Sequence, residues 1–123
     1  MKFDEISNKV IGCAIEVHRS LGPGLLESTY EQCLAREMDL SGMAFKLQSP
    51  LPVEYKGIKL DCGYRVDMLI EDKLIVELKS VEKTLPIHEA QILTYMKLAN
   101  IQVGLLINFN VERLKEGIKR FVL

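Results

Sequence analysis

The chain has 123 residues, 48% hydrophobic and 27% charged, which is the size and composition of one soluble globular domain with a single core. Sixteen Lys and Arg stand against seventeen Asp and Glu, a net charge of −1, so bulk electrostatic attraction to nucleic acid is excluded and any phosphate-binding surface must be local. Cys13, Cys33 and Cys62 are odd in number and widely spaced, with no CxxC or Cys/His cluster; this argues against a disulfide framework or zinc site and for a reducing, cytoplasmic setting.

The N-terminal stretch MKFDEISNKVIG has no long apolar run, so neither a signal peptide nor a membrane span is expected there. Ile6, Val10, Ala14, Val17 and Leu21 recur at helical spacing and predict a helix from about Phe3 to Ser20, with His18 as a surface or packing residue. Gly22-Pro23-Gly24 breaks it. A second helix is expected from Leu25 to about Leu40, with Leu26, Tyr30, Cys33, Leu34 and Met38 as its apolar stripe and Ser41-Gly42 as its stop.

The period then changes. Phe45–Leu47 and Pro52–Tyr55 read as short extended pieces, followed by a turn at Lys56-Gly57. Tyr64–Ile70 and Leu74–Lys79 read as stronger strands joined by Glu71-Asp72-Lys73 in a hairpin. Thr84 and Pro86 suit the start of a helix running to about Asn100. The apolar run Val103–Phe109 predicts a strand buried on both faces, and Gly117–Leu123 a last edge strand after a helical turn near Glu112. The fold class expected is α/β, a mixed sheet flanked by helices in the order α-α-β-β-β-α-β-β.

The hairpin carries the chemistry. Alternation places Arg65, Asp67 and Leu69 on one face and Tyr64, Val66, Met68 and Ile70 on the other; on the next strand Ile75, Glu77 and Lys79 share a face opposite Leu74, Val76 and Leu78. Matching the apolar faces through a three-residue turn sets Ile70 against Leu74, Met68 against Val76, Asp67 against Glu77 and Arg65 against Lys79, and a one-residue slip would destroy the match. Two carboxylates directly opposed repel each other. A shared proton, a bound cation or a neighbouring base must neutralise them; Lys79 can supply part of that charge and a hard divalent ion the rest.

Asp67 followed by Glu77-Leu78-Lys79 resembles the D…ExK core of the PD-(D/E)XK nuclease superfamily, which includes restriction endonucleases and many repair nucleases. Gly24-Leu25-Leu26-Glu27-Ser28-Thr29-Tyr30 fits the GxxExxY signature that names a small bacterial and archaeal family within it. The superfamily's proline before the aspartate is Val66 here, a departure shared by many members. The resemblance implies a restriction-endonuclease-like fold over residues 1–123. It implies Asp67 and Glu77 as ligands of Mg²⁺ (or Mn²⁺), joined by the Leu78 backbone carbonyl, and Lys79 as the group that orients or activates the attacking water. Such an ion polarises a phosphodiester oxygen and lowers the pKa of bound water.

Glu27 has two readings: a carboxylate favoured by the helix dipole, or a helix-borne acid completing the site, which is what the resemblance implies. On the helix after the hairpin, His88, Gln91 and Tyr95 form one stripe, and related nucleases place a glutamine there, which points to Gln91. Lys46, Lys56, Lys59, Arg65, Lys79 and Lys83 are candidate phosphate contacts or a solvated surface. The functions in contention are a Mg²⁺-dependent nuclease acting on DNA or RNA, a non-catalytic nucleic-acid- or protein-binding module on the same scaffold, and a hydrolase of a smaller phosphorylated substrate. The C-terminal strand is a plausible edge for a homodimer.

Overall fold

A computed structural model describes residues 3–123. Helices α1 (Phe3–Leu21) and α2 (Glu27–Leu40) come first, followed by strands β1 (Phe45–Pro50), β2 (Val53–Tyr55), β3 (Ile58–Leu60), β4 (Arg65–Ile70) and β5 (Leu74–Lys79). Helix α3 (Pro86–Ala99), strand β6 (Val103–Asn108), a 3₁₀ turn (Leu114–Gly117) and strand β7 (Ile118–Val122) complete the chain. Five strands form one mixed sheet in the order β1-β4-β5-β6-β7, and β2 pairs with β3 in a separate ribbon. This is the expected α/β class. The middle of the chain holds more strands than expected, because Ile58–Leu60 folds back on Val53–Tyr55.

All neighbours in the sheet are antiparallel except β5 and β6, which run parallel and are joined through α3, the kind of crossover a parallel pair requires. The predicted hairpin register holds: Met68 faces Val76, Leu69 faces Ile75 and Ile70 faces Leu74. Its turn lacks the glycine or asparagine that usually supplies positive φ, yet Glu71 and Asp72 both adopt it, at 53° and 54°, and the Lys73 amide donates to the Ile70 carbonyl.

Two apolar layers sandwich the sheet. On one side Met68, Ile70, Leu74, Val76, Leu78, Val103, Leu105 and Ile107 pack against α1 and α2 through Val10, Ala14, Tyr30, Leu34 and Met38. On the other, Ile75, Leu106 and Val66 pack against Ile92, Tyr95 and Met96 of α3. Strand β6 is buried at every residue, as its apolar run predicted. Gly104 lets α3 approach it: a Cβ there would stand 2.7 Å from Met96 Sδ.

Several sequence expectations shift. Leu26 and Leu21, assigned to apolar stripes, are exposed, because α2 begins only at Glu27 and Leu21 lies at the end of α1. Tyr64 and Val66 leave the face of Met68 and Ile70: Val66 joins the α3 layer and the Tyr64 ring lies against Tyr95. The change coincides with a gap in the β1–β4 ladder. Leu47 pairs with Met68 and Ser49 with Val66, but Gln48, at φ 49°, and Asp67 opposite it do not pair, and the change of face falls at this gap. His18 is a packing residue, buried with its Nε2 2.7 Å from the Val111 carbonyl.

Candidate metal centre

Where regular pairing of β4 and β5 stops, side chains take over from the backbone. The Glu77 carboxylate accepts the Asp67 amide at 2.7 Å, and the Asp67 carboxylate accepts the Leu78 amide at 2.8 Å. Each acidic residue thus satisfies a peptide N–H on the opposing strand, and the two carboxylates are locked together. Arg65 and Lys79, expected to oppose each other, lie beyond the paired register, because the strands have already parted at Asp67 and Glu77.

Glu77 is 5% exposed. Burial drives its pKa from 4.5 to about 8, the negative charge of Asp67 adds to the rise and Glu27 contributes a little; the hydrogen bond from the Asp67 amide and the positive charge of Lys79 oppose it. The opposed carboxylates are therefore reconciled by a proton held on Glu77 at neutral pH. Lys79 is half-buried on the same face, one strand alternation further on. Leu78 points the other way, into the α1/α2 core, so only its backbone can serve the site.

Two supports escaped the sequence reading. Gln48 sits at the skipped position of β1, and its amide donates to Asp67 Oδ1 at 3.2 Å and to Glu31 Oε1 at 2.7 Å, tying Asp67 to α2. No pattern marks a glutamine for positive φ, so this residue was invisible. Asn108, 3% exposed, bonds both the amide and the carbonyl of Val81 and pairs with Lys79 across β5–β6, while the Phe109 amide donates to the Lys79 carbonyl. A lone polar residue in the run Val103–Phe109 was the available signal.

The segment from Gly24 to Tyr30 builds the approach from α2. The Tyr30 hydroxyl donates to the Gly22 carbonyl at 2.5 Å and accepts the Leu25 amide at 3.2 Å, while its ring stacks on Phe109 at 4.3 Å. The Ser80 hydroxyl donates to the Leu25 carbonyl, joining this loop to the end of β5. Glu27, exposed in the first turn of α2, is held near enough for its charge to act on Glu77.

On α3, the predicted stripe shares one side of the helix: His88, Gln91 and Tyr95 line one cleft with Lys79. Gln91 donates to the Tyr95 hydroxyl at 3.0 Å. His88 caps its own helix, its Nδ1 accepting the Leu85 amide at 3.0 Å, with Pro86 in the first turn. Of the candidate phosphate contacts, Lys79 lines the cleft; Lys46 pairs with Asp72 at the opposite end of the hairpin, and Lys56 lies over the Tyr55 ring.

Among the described residues no group of three or more His, Cys, Asp and Glu side chains converges as a metal cage. The donors that do meet are two carboxylates with oxygen lone pairs to spare. They suit a hard cation that keeps much of its hydration shell, as Mg²⁺ does, and not a closed nitrogen–sulfur site.

A family model described as the PD-(D/E)XK nuclease superfamily matches residues 4–121. The chain belongs to that superfamily. Its members are generally dependent on a divalent metal, and the match spans every element that builds the carboxylate pair, Lys79 and the α3 stripe. No curated protein and no solved structure gives a significant match. No described helix is long and apolar enough to cross a membrane.

Proposed function

We propose that this chain, acting as one nuclease-like domain of the GxxExxY group, is a Mg²⁺- or Mn²⁺-dependent nuclease that hydrolyses phosphodiester bonds of DNA or RNA. The observation that carries the reading is the interlocked Asp67–Glu77 pair: a buried carboxyl held protonated against a second carboxylate, at the point where the ladder opens. Such an arrangement is costly for stability alone and is expected where an ion takes the proton's place.

Asp67 and Glu77 would hold the ion, with the Leu78 carbonyl as a further ligand. When bound, the ion supplies polarisation of a phosphodiester oxygen and a more acidic water. Lys79 supplies a positive charge beside the pair, orients the attacking water and offsets negative charge developing on the phosphate. Glu27, reaching from α2, adds a water-mediated acceptor, and Gln91 from α3 holds the far side of the substrate.

The test is cleavage of single-stranded and duplex DNA and RNA by the wild type and by Lys79→Ala with Mg²⁺ or Mn²⁺. Equal products from both would remove Lys79 from the mechanism. Calorimetric titration of the ion into wild type and Asp67→Asn should show weaker binding by the variant. A second reading, a binding module without turnover, is favoured by the net charge of −1 and by the lack of a third converging acid among the described residues. Binding of a strand without cleavage under any divalent ion would select it.

A further inference from the structure

Beside the carboxylate pair lies a cleft of about 720 Å³, within the roughly 300–1,000 Å³ typical of small-molecule sites. Lys79, His88, Gln91 and Thr94 are polar points on a wall whose apolar and aromatic part includes Val53, Tyr64, Tyr95 and Leu98. Tyr95 is almost wholly buried, its hydroxyl held by Gln91, whereas Tyr64 is 47% exposed with its ring 6.1 Å from that of Tyr95 at 58°. Tyr95 thus braces Tyr64 through a tilted ring contact and leaves much of the Tyr64 ring exposed beside the cleft. Strand β2 contributes Val53 to the lining, and the β2–β3 ribbon also exposes Tyr55, Ile58 and Leu60.

A surface reading only a duplex backbone meets phosphates and sugars, because the faces of paired bases are hidden in the stack and only their edges show in the grooves. An aromatic face has a use when a base is already unstacked, and single strands are held by stacking combined with positive charge along the backbone. With a net charge of −1 the phosphate contacts must be local, and stacking adds to them. We propose that the cleft receives an unpaired nucleobase of a single-stranded substrate, with Tyr64 as the stacking platform and Lys79 beside an adjacent phosphate. The inference rests on the nuclease reading for its substrate class and adds the strandedness. An apolar peptide would satisfy Val53 and Leu98 but would give Lys79 and the adjoining carboxylates no partner.

The probe is a short single-stranded oligonucleotide carrying 2-aminopurine, whose fluorescence falls when it stacks. It is titrated into the full chain in chelator, so that no cleavage intervenes, beside a hairpin duplex of the same sequence. The expected result is quenching by the wild type, preference for the single strand, and an affinity roughly five- to hundredfold weaker for Tyr64→Ala but nearly unchanged for Tyr64→Phe. Equal affinity of wild type and Tyr64→Ala, binding of the duplex at least as tight as that of the single strand, or no binding of either strand would overturn the assignment. Tyr64 is exposed, so the fold survives these substitutions, and thermal melts check this. Parallel cleavage assays with Mg²⁺ separate the two claims. Tyr64-dependent binding with no cutting removes the nuclease and keeps the cleft; cutting of duplex that is indifferent to Tyr64→Ala does the reverse.

Discussion

The two ends of the β4–β5 hairpin are made of the same strands and have opposite characters. At the turn end, Met68, Leu69 and Ile70 face Val76, Ile75 and Leu74 in regular register, and every member except Leu69 is fully buried. At the open end the ladder gives way, and carboxylates accept the peptide N–H groups that a partner strand would normally take. The first end is held by packing that tolerates no polar group. The second is held by polar groups that bind protons, and on the proposed reading metal, in their place. One hairpin thus supplies both an apolar anchor and a polar edge, and the boundary between them is Asp67, where it stands unpaired opposite Gln48.

Substitutions at the two ends should separate these roles. The largest effect is expected from Met68→Ala, which removes a fully buried side chain from the α1/α2 layer: about 2–5 kcal/mol of stability in a denaturant melt, with the acid–base behaviour of Glu77 intact in the folded fraction. At the open end, Lys79→Ala should leave stability within about 0.5 kcal/mol, since a half-buried lysine is no part of the core. Its cleavage rate should fall roughly 10²–10³-fold, the usual consequence of losing one group that stabilises developing charge. A large loss of stability without a specific loss of rate would merge the two ends into one structural unit.

The next effect is read against pH. Folding raises the Glu77 pKa from 4.5 to about 8, so the folded chain binds that proton more tightly than the unfolded one. The stabilisation is complete below pH 4.5, is lost progressively as pH rises from 4.5 to about 8, and is absent above that. Each unit of separation is worth about 1.4 kcal/mol. Thermal melts of Glu77→Gln should lose this slope while the wild type keeps it; parallel curves would refute the buried proton. A divalent ion must displace the same proton, so its affinity should climb towards pH 8 and level off, with proton release measurable in calorimetry.

The smallest effect belongs to the boundary. Gln48→Gly relieves the left-handed backbone, a change worth up to about 1 kcal/mol in favour of folding, but deletes the amide that ties Asp67 to Glu31. Melting temperature should hold or rise while ion affinity drops. An unchanged affinity would show that Asp67 is positioned by the Leu78 amide alone.

Much of this was legible from residue order. Period and breakers placed α1, α2, α3, the buried β6 and the edge strand β7, and the need to match apolar faces set the hairpin register that brings Asp67 to Glu77. The α3 stripe was legible too, since i, i+3 and i+7 spacing puts His88, Gln91 and Tyr95 on one side of any helix. Less legible was the middle of the chain, where Ile58–Leu60 is too short to show a period and the ribbon it forms borders the cleft only through Val53.

By itself the sequence determined periodicity and register, because these depend on spacing along the chain, and it carried the motifs by which the chain resembles its superfamily. Only the tertiary structure decided that the acidic face lies under α3, that Glu77 is deep enough to keep its proton, and that Tyr64 turns towards Tyr95. Those outcomes follow from helices and strands arriving from distant sequence. Burial and desolvation are sums over neighbours that no local pattern encodes.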